Sequence, residues 1–330
     1  MKLTVLGPGC WGLTIANLEK NNFDEITVWG RSQDIEPIIS NGNKLEKPLK
    51  IELDKKIKLT DDLSLALKDA EIILFVVATG GIRPVCEQIK KVGLNKNQIL
   101  VNLSKGLELP SLKRMSEVIL EVLPGINFAV LSGPTLAREI IEGRPTLASI
   151  ASDDIEIAKK VQRLLNVPSL FRLYANPDLI GVELGGSLKN VIAIASGFAT
   201  AMGLGDNLRG SLLTRGMAEM VRVSTALGAK PQTMYGLSGM GDLIATATSP
   251  YSRNFTVGSM IAKGKKIDDI LAELGSVAEG VKTSKALCEL AKKLNIDVPV
   301  SNAIYEAVYT DITPKEILDK LMNRKLKEED

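Results

Sequence analysis

Gly7-Pro8-Gly9-Cys10-Trp11-Gly12 follows the apolar run Leu3-Thr4-Val5-Leu6 and precedes a stretch, Leu13 to Lys20, that can form a helix. Glycines spaced in this way between a strand and a helix build a turn for a dinucleotide. Gly7 serves the tight turn, Gly9 lets the backbone approach a pyrophosphate, and Gly12 lets the helix pack on the sheet. The phosphates then meet free N–H groups at the helix N-terminus. A tight turn with no ligand has the same spacing; the position after a buried-type strand favours the dinucleotide. A second candidate is Lys189, a lone cation in the apolar stretch Glu183-Leu184-Gly185-Gly186-Ser187-Leu188-Lys189-Asn190-Val191. Gly185 lies one turn earlier on the same helical face, which is expected to leave room for a substrate. Burial, or a second lysine such as Lys105, would bring the Lys189 pKa toward neutrality and suit it to proton transfer. The plainer alternative is a lysine that snorkels to solvent.

The chain contains no histidine. His-based acid–base catalysis, Ser-His triads and His metal sites are therefore excluded, and proton transfer falls to Lys, Asp, Glu, Tyr or Cys. Ser104-Lys105-Gly106-Leu107-Glu108 follows a strand pattern at the carboxyl edge of a sheet, where open α/β folds bind ligands. Lys105 there could meet a phosphate or a carbonyl. Ser132-Gly133-Pro134-Thr135 follows the next strand, and Pro134 suits a first helical position with N–H groups free for an anion. Asp242, read as part of a glycine turn, could accept from a substrate hydroxyl or a lysine. Ser252-Arg253-Asn254 could cradle a phosphate through the guanidinium fork. Singly, each reads equally as loop chemistry; together they point to a small phosphorylated substrate. At the end of the second strand, Val28-Trp29-Gly30-Arg31-Ser32 has an arginine where an acid often binds the adenosine ribose. Arg31 can pair with a 2′-phosphate, so NAD or NADP is expected with NADPH slightly favoured, although Asp34 could still contact a ribose.

These residues need a scaffold. Ile26–Trp29, Ile72–Val77, Ile99–Leu103, Phe128–Leu131 and Thr146–Ala151 read as buried parallel strands, and Leu170–Tyr174 as a further strand. Helical patterns at Leu63–Lys68, Leu112–Leu123 and from Ser152 to about Leu165 alternate with them, as in a doubly wound sheet. The pattern changes near Asn176-Pro177-Asp178. Asp178–Met202 reads as one long apolar helix, followed by helices at Ser211–Leu227, Phe255–Lys263, Thr283–Leu294 and Ser301–Val308. Thr313-Pro314-Lys315-Glu316 is a capping box. Two domains are expected, 1–177 and 178–330, and the 330 residues suffice for a core in each. The net charge of +2 implies no nucleic-acid partner. Cys10, Cys86 and Cys288 are odd in number and widely spaced, as suits a reducing cytoplasm rather than a disulfide framework. Met1 to Leu6 reads as a strand, not a signal peptide. The longest apolar run, Ile72 to Ala78, is too short to cross a bilayer, so no integral membrane segment is expected.

In this order, the motifs resemble the bacterial-type NAD(P)-dependent glycerol-3-phosphate dehydrogenase family. The resemblance rests on GPGCWG at 7–12, WGR at 29–31, SKGLE at 104–108, SGPTLAREI at 132–140, ELGGSLKNVIAIASG at 183–197, GLSGMGDLIATATSPYSRN at 236–254 and VAEGVKT at 277–283. It implies a Rossmann-like domain followed by an all-α domain of the 6-phosphogluconate-dehydrogenase-like C-terminal kind, with the site between them. It implies interconversion of dihydroxyacetone phosphate and sn-glycerol 3-phosphate, which supplies phospholipid synthesis, and a homodimer. Lys189 is similar to the family's catalytic proton acceptor. Lys105, Gly133, Thr135, Asp242, Ser252, Arg253 and Asn254 match substrate-contacting positions. Cys10, Trp11, Arg31, Lys105, Ala137, Arg253, Val277 and Glu279 match cofactor-contacting positions. Cys10 stands where the family often has Ser, Ala78 where a proline is common, and Arg209-Gly210 where small residues are found. A β-hydroxy-acid dehydrogenase on the same plan, or a nucleotide-sensing module without catalysis, remains the competing reading.

Overall fold

Short apolar runs form the strands and longer mixed segments the helices, and the sheet comes first. The computed structural model describes residues 1–275, 278–326 and 328–329. In chain order the first half contains β1 (Lys2–Leu6), α1 (Cys10–Leu18), β2 (Glu25–Trp29), α2 (Ser32–Ser40), the two-residue strands β3 (Lys44–Leu45) and β4 (Ile51–Glu52), β5 (Ile57–Thr60), α3 (Leu63–Leu67), β6 (Ile72–Phe75) and α4 (Thr79–Val92). Then follow β7 (Ile99–Asn102), α5 (Met115–Val122), β8 (Asn127–Ser132), α6 (Ala137–Ile141), β9 (Thr146–Ala151), α7 (Ile155–Leu165) and β10 (Phe171–Asn176).

Eight strands form one sheet in the order β10-β9-β8-β7-β6-β1-β2-β5, with β3 and β4 as a separate small ribbon. From β8 to β5 every pairing is parallel, so those strands present their carboxyl ends, and the loops that follow them, on one edge. The expectation of a parallel β9 is corrected: β9 runs antiparallel to β8, with Val130 opposite Ala151, and parallel to β10. A parallel return needs a long crossover, and the five-residue α6 is too short to span the sheet. Apolar side chains fill both faces, Leu3, Val5, Ile72 and Leu74 on one and Leu6, Ile73, Phe75 and Leu100 on the other.

The second half is helical among the described residues. It comprises α8 (Leu179–Ala201), α9 (Gly205–Ala226), α10 (Pro231–Met234), a π-helical turn (Leu237–Gly241), α11 (Asp242–Thr248), α12 (Arg253–Ala262), α13 (Ile267–Leu274), α14 (Glu279–Leu294), α15 (Pro299–Tyr309) and α16 (Pro314–Met322). Thr313 and Glu316 close the capping box reciprocally. Asp178 caps α8 by accepting from the Gly181 N–H. α8 is long and apolar enough to cross a membrane, but it is almost wholly buried inside the protein, so it is the core around which the other helices pack. Two glycines set how close they come. A Cβ at Gly197 would stand 1.9 Å from the Phe255 carbonyl oxygen, and one at Gly258 1.9 Å from that of Ile194. The backbones of α8 and α12 therefore touch.

Buried acids tie elements together. Glu183 of α8 accepts from the Ser116 N–H at 2.7 Å, the Ser116 hydroxyl at 2.5 Å and Arg114 Nη1 at 3.0 Å, joining the helical half to α5. Leu179 and Val182 join the apolar cluster on one face of the sheet, so α8 is rooted in both halves. Glu219 of α9 accepts from the N–H groups of Val300 and Ser301, which are the free donors at the start of α15.

Candidate active site

Lys189 lies six residues beyond Glu183 on the buried helix α8, and its side chain is only 7% exposed. It does not snorkel. Its Nζ stands 2.8 Å from Asp242 Oδ1 and donates to Thr246 Oγ1 at 2.5 Å. The other oxygen of Asp242 accepts from Lys105 Nζ at 2.6 Å. Lys105 also donates to the Gly133 carbonyl at 2.9 Å and to Thr135 Oγ1 at 3.5 Å. One buried carboxylate thus holds two ammonium groups, one from the helical half and one from the loop after β7. Thr246 Oγ1 donates in turn to Asp242 Oδ1 at 3.1 Å.

Electrostatics follow from this row. Burial brings the Lys189 pKa down to about 8, against the attraction of Asp242 and helped by repulsion from Lys105 and Arg253. Burial pushes Asp242 up, but Lys105 and Lys189 outweigh it and hold the carboxyl below its usual range.

Local structure explains the assembly and corrects three expectations. Gly185 does not leave room for a substrate, and the neighbouring Gly186 is filled as well. A Cβ at Gly185 would lie 2.9 Å from the Ser238 carbonyl, and one at Gly186 would lie 2.1 Å from Ser132 Oγ and 3.4 Å from Lys105 Cδ. The glycines instead admit the π-helical turn and the β8 end against α8, which is how Asp242 and Lys105 reach Lys189. Asp242 is not in a glycine turn; it opens α11, and Thr246 falls on the same face one turn later. Thr246 was missed by the sequence reading, although its i+4 spacing from an acid was available as a signal. Pro134 does not begin a helix either, since α6 starts at Ala137. Gly133 is required where it stands, with φ +153° and a would-be Cβ 2.9 Å from Ala148 Cα.

The expected phosphate cradle is only partly free. Arg253 is exposed and opens α12, whereas Ser252 is buried and its hydroxyl oxygen accepts from the Phe255 N–H as the helix cap. Asn254 is buried, donates to Asn190 Oδ1 at 2.8 Å and accepts from the Gly280 N–H at 3.1 Å. It braces α8, α12 and α14 against one another. The sequence reading also missed Asn190, the residue after Lys189.

At the first turn, the fit to a dinucleotide can be tested on the glycines themselves. Gly7 has φ +120°, and a Cβ there would strike the Val76 carbonyl oxygen at 2.6 Å. A Cβ at Gly12 would lie 1.9 Å from the Gly7 carbonyl oxygen. Gly9 differs: a Cβ there meets nothing within 4 Å. Packing requires the outer two glycines, and only the middle one opens onto free space, as the approach of a pyrophosphate demands. Cys10 and Trp11 begin α1 and are half-buried. Burial raises the Cys10 thiol pKa, and the nearby Arg253 charge opposes it. Ala137 starts α6. Glu279 starts α14 and bridges to the sheet half, accepting from Thr79 Oγ1 at 2.9 Å and, at 3.4 Å, from its N–H. Arg31 lies at the β2 end, exposed and paired with Asp34. Val277 lies outside the described residues.

A dinucleotide turn after β1 and a buried lysine–carboxylate–lysine row reached from the loop after β7, both at the carboxyl edge of the central strands, define a nicotinamide-dependent dehydrogenase with a helical second half. The descriptions "NAD-dependent glycerol-3-phosphate dehydrogenase" N-terminus and C-terminus match residues 2–158 and 178–319. The chain belongs to the NAD-dependent glycerol-3-phosphate dehydrogenase family. Glycerol-3-phosphate dehydrogenase [NAD(P)+] of Lacticaseibacillus paracasei is 42% identical over 99% of this chain and 96% of its own. The protein of that name from Carboxydothermus hydrogenoformans is 42% identical over 100% and 98%. Among solved structures, glycerol-3-phosphate dehydrogenase from Coxiella burnetii aligns with TM-score 0.91 at 30% identity, covering 98% of this chain and 99% of that one.

Proposed function

We propose that this chain interconverts dihydroxyacetone phosphate and sn-glycerol 3-phosphate with NADH or NADPH, and that Lys189 moves the proton at the C2 oxygen. The observation that carries this reading is the buried row Lys189–Asp242–Lys105, with Lys189 poised at about 8. When bound, the nicotinamide supplies or takes the hydride. During reduction, negative charge grows on the C2 oxygen and protonated Lys189 gives that oxygen its proton; in the reverse direction neutral Lys189 removes it. Lys105 stabilises the same developing charge. Asp242 keeps both ammonium groups in place, and Thr246 fixes the Lys189 end. Arg253 and the N-terminus of α12 anchor the substrate phosphate, so that remote binding orients the ketone. Gly133, Thr135, Ser252 and Asn254 shape the substrate side.

Gly7, Gly9, Cys10, Trp11, Gly12, Arg31, Ala137 and Glu279 hold the cofactor, with Lys105 and Arg253 shared between cofactor and substrate and Val277 assigned from the resemblance. Residues 1–177 act as the cofactor unit and 178–330 as the substrate unit. The resemblance further supports a cytoplasmic homodimer that supplies glycerol 3-phosphate for phospholipid synthesis; light scattering on the purified protein tests the dimer.

The test of the reaction is oxidation of NADH or NADPH by the purified protein, with dihydroxyacetone phosphate compared against a panel of β-keto acids. Only the phosphorylated ketone should be reduced. Lys189→Met should lower kcat by roughly 10²–10⁴-fold and leave cofactor affinity unchanged. Turnover near the parent level in that variant would remove Lys189 from the mechanism.

A further inference from the structure

β2 and β5 end side by side. Trp29 pairs with Thr60, the Gly30 N–H donates to the Thr60 carbonyl at 3.2 Å, and Trp29 Nε1 donates to the Asp61 carbonyl at 2.9 Å. The loops that follow therefore share one corner of the sheet edge, where the adenosine ribose lies in a fold of this class. In that corner Arg31 is already engaged. Its Nε donates to Asp34 Oδ2 at 2.6 Å and its Nη2 to Asp34 Oδ1 at 3.0 Å, a two-pronged pair on one edge of the guanidinium. Ser32 is engaged as well, donating from Oγ to Asp61 Oδ2 at 2.5 Å. Asp62 adds a third carboxylate, which accepts from the Leu65 N–H as the cap of α3.

We propose that Asp34 and Asp61 bias this protein toward NADH, by occupying Arg31 and Ser32, the two side chains at the β2 end that would otherwise read a 2′-phosphate. The inference rests on the cofactor reading given above. A 2′-phosphate brings nearly two negative charges at neutral pH and needs donors. Here it would have to displace Asp34 from Arg31 or approach through the Nη1 donors that Asp34 does not take, and displace Asp61 from Ser32, and in either case it would sit among these carboxylates. A free ribose has hydroxyl groups to donate, and a carboxylate is the acceptor that suits them. Arg31 taken alone favours NADPH; Arg31 taken with its partners favours NADH.

The test measures dissociation constants for NADH and NADPH by fluorescence titration without substrate, alongside kcat/KM for each with dihydroxyacetone phosphate. The parent protein should bind NADH about tenfold more tightly than NADPH. Asp34→Asn with Asp61→Asn should shift that ratio toward NADPH by about tenfold or more, because two repulsive charges leave and the guanidinium is released. Adding Arg31→Ala to Asp34→Asn should cancel the gain from Asp34→Asn. Each ratio is taken within one protein, so a general loss of stability cancels. Equal or tighter NADPH binding by the parent, or an unchanged ratio in the double variant, overturns the proposal. Binding with no reduction of dihydroxyacetone phosphate defeats the reaction assigned above and still decides the preference. Failure of the parent to bind either cofactor defeats both.

Discussion

Asp242 presents Oδ1 to Lys189 at 2.8 Å, inside a helix bundle where the lysine side chain is 7% and the aspartate 3% exposed. In the proposed reaction the pair fixes where a proton is handed over, and burial brings the lysine toward neutrality for it.

Burial brings the Lys189 pKa down to about 8. Reduction needs its protonated form, so kcat/KM for dihydroxyacetone phosphate should be level below that pH and fall tenfold per unit above it. Oxidation of glycerol 3-phosphate needs the neutral form and should rise up to the same pH and then level off. Profiles in both directions check this; slopes of the same sign in the two directions would contradict the assignment.

Thr246→Val keeps the volume but removes the hydroxyl shared by Lys189 and Asp242. We expect kcat to fall at least about tenfold, in line with the loss of two hydrogen bonds to charged groups, with little change in cofactor affinity. Thr246→Ser should restore most of the rate. A serine variant as slow as the valine variant would show that the methyl, not the hydroxyl, matters.

Gly9→Ala and Gly12→Ala should separate folding from binding. Alanine at 12 drives a methyl into the Gly7 carbonyl and should lower the melting temperature. Alanine at 9 meets no protein atom, so stability should hold while NADH affinity drops at least about tenfold. Calorimetry and fluorescence titration on both variants give the answer. Unchanged affinity in Gly9→Ala would place the pyrophosphate elsewhere.

Glu183→Ala should destabilise the protein by about 3–5 kcal/mol, because it leaves Arg114 without its buried partner and Ser116 without an acceptor. Urea unfolding measures this. A loss below about 1 kcal/mol would mean that the joint between α5 and α8 is carried by apolar contacts alone.

Much of this was legible in the sequence, for physical reasons. Lys189 was visible because a cation in an apolar helix must be compensated, and α8 was bounded well because Asp178 is a side-chain cap. The central strands were legible as runs such as Ile72–Phe75, buried on both faces. Elements with mixed signals were not seen. α4 carries Gly80 and Gly81 in its first turn and contains Pro84, α2 contains Pro37, and the edge strand β5 has only half of its residues apolar. The antiparallel turn of β9 depends on the length of α6, which no local pattern encodes. Gly185 reads in sequence as space for a ligand because a missing side chain looks the same whether substrate or backbone fills the gap. The occupation of Arg31 by Asp34 was likewise hidden, since sequence lists charges without saying which of them are already matched.

The touching backbones of α8 and α12 at Gly197 and Gly258 give the site a fixed gauge. Lys189 rides on α8, and Arg253 opens α12, so the span from the proposed proton donor to the proposed phosphate anchor is held by two helices whose backbones meet at these glycines. In the proposed reaction, substrates would then be measured by length. A ketone one methylene longer between carbonyl and phosphate can satisfy one end or the other, and selectivity for a three-carbon skeleton needs no dedicated wall to exclude its homologue.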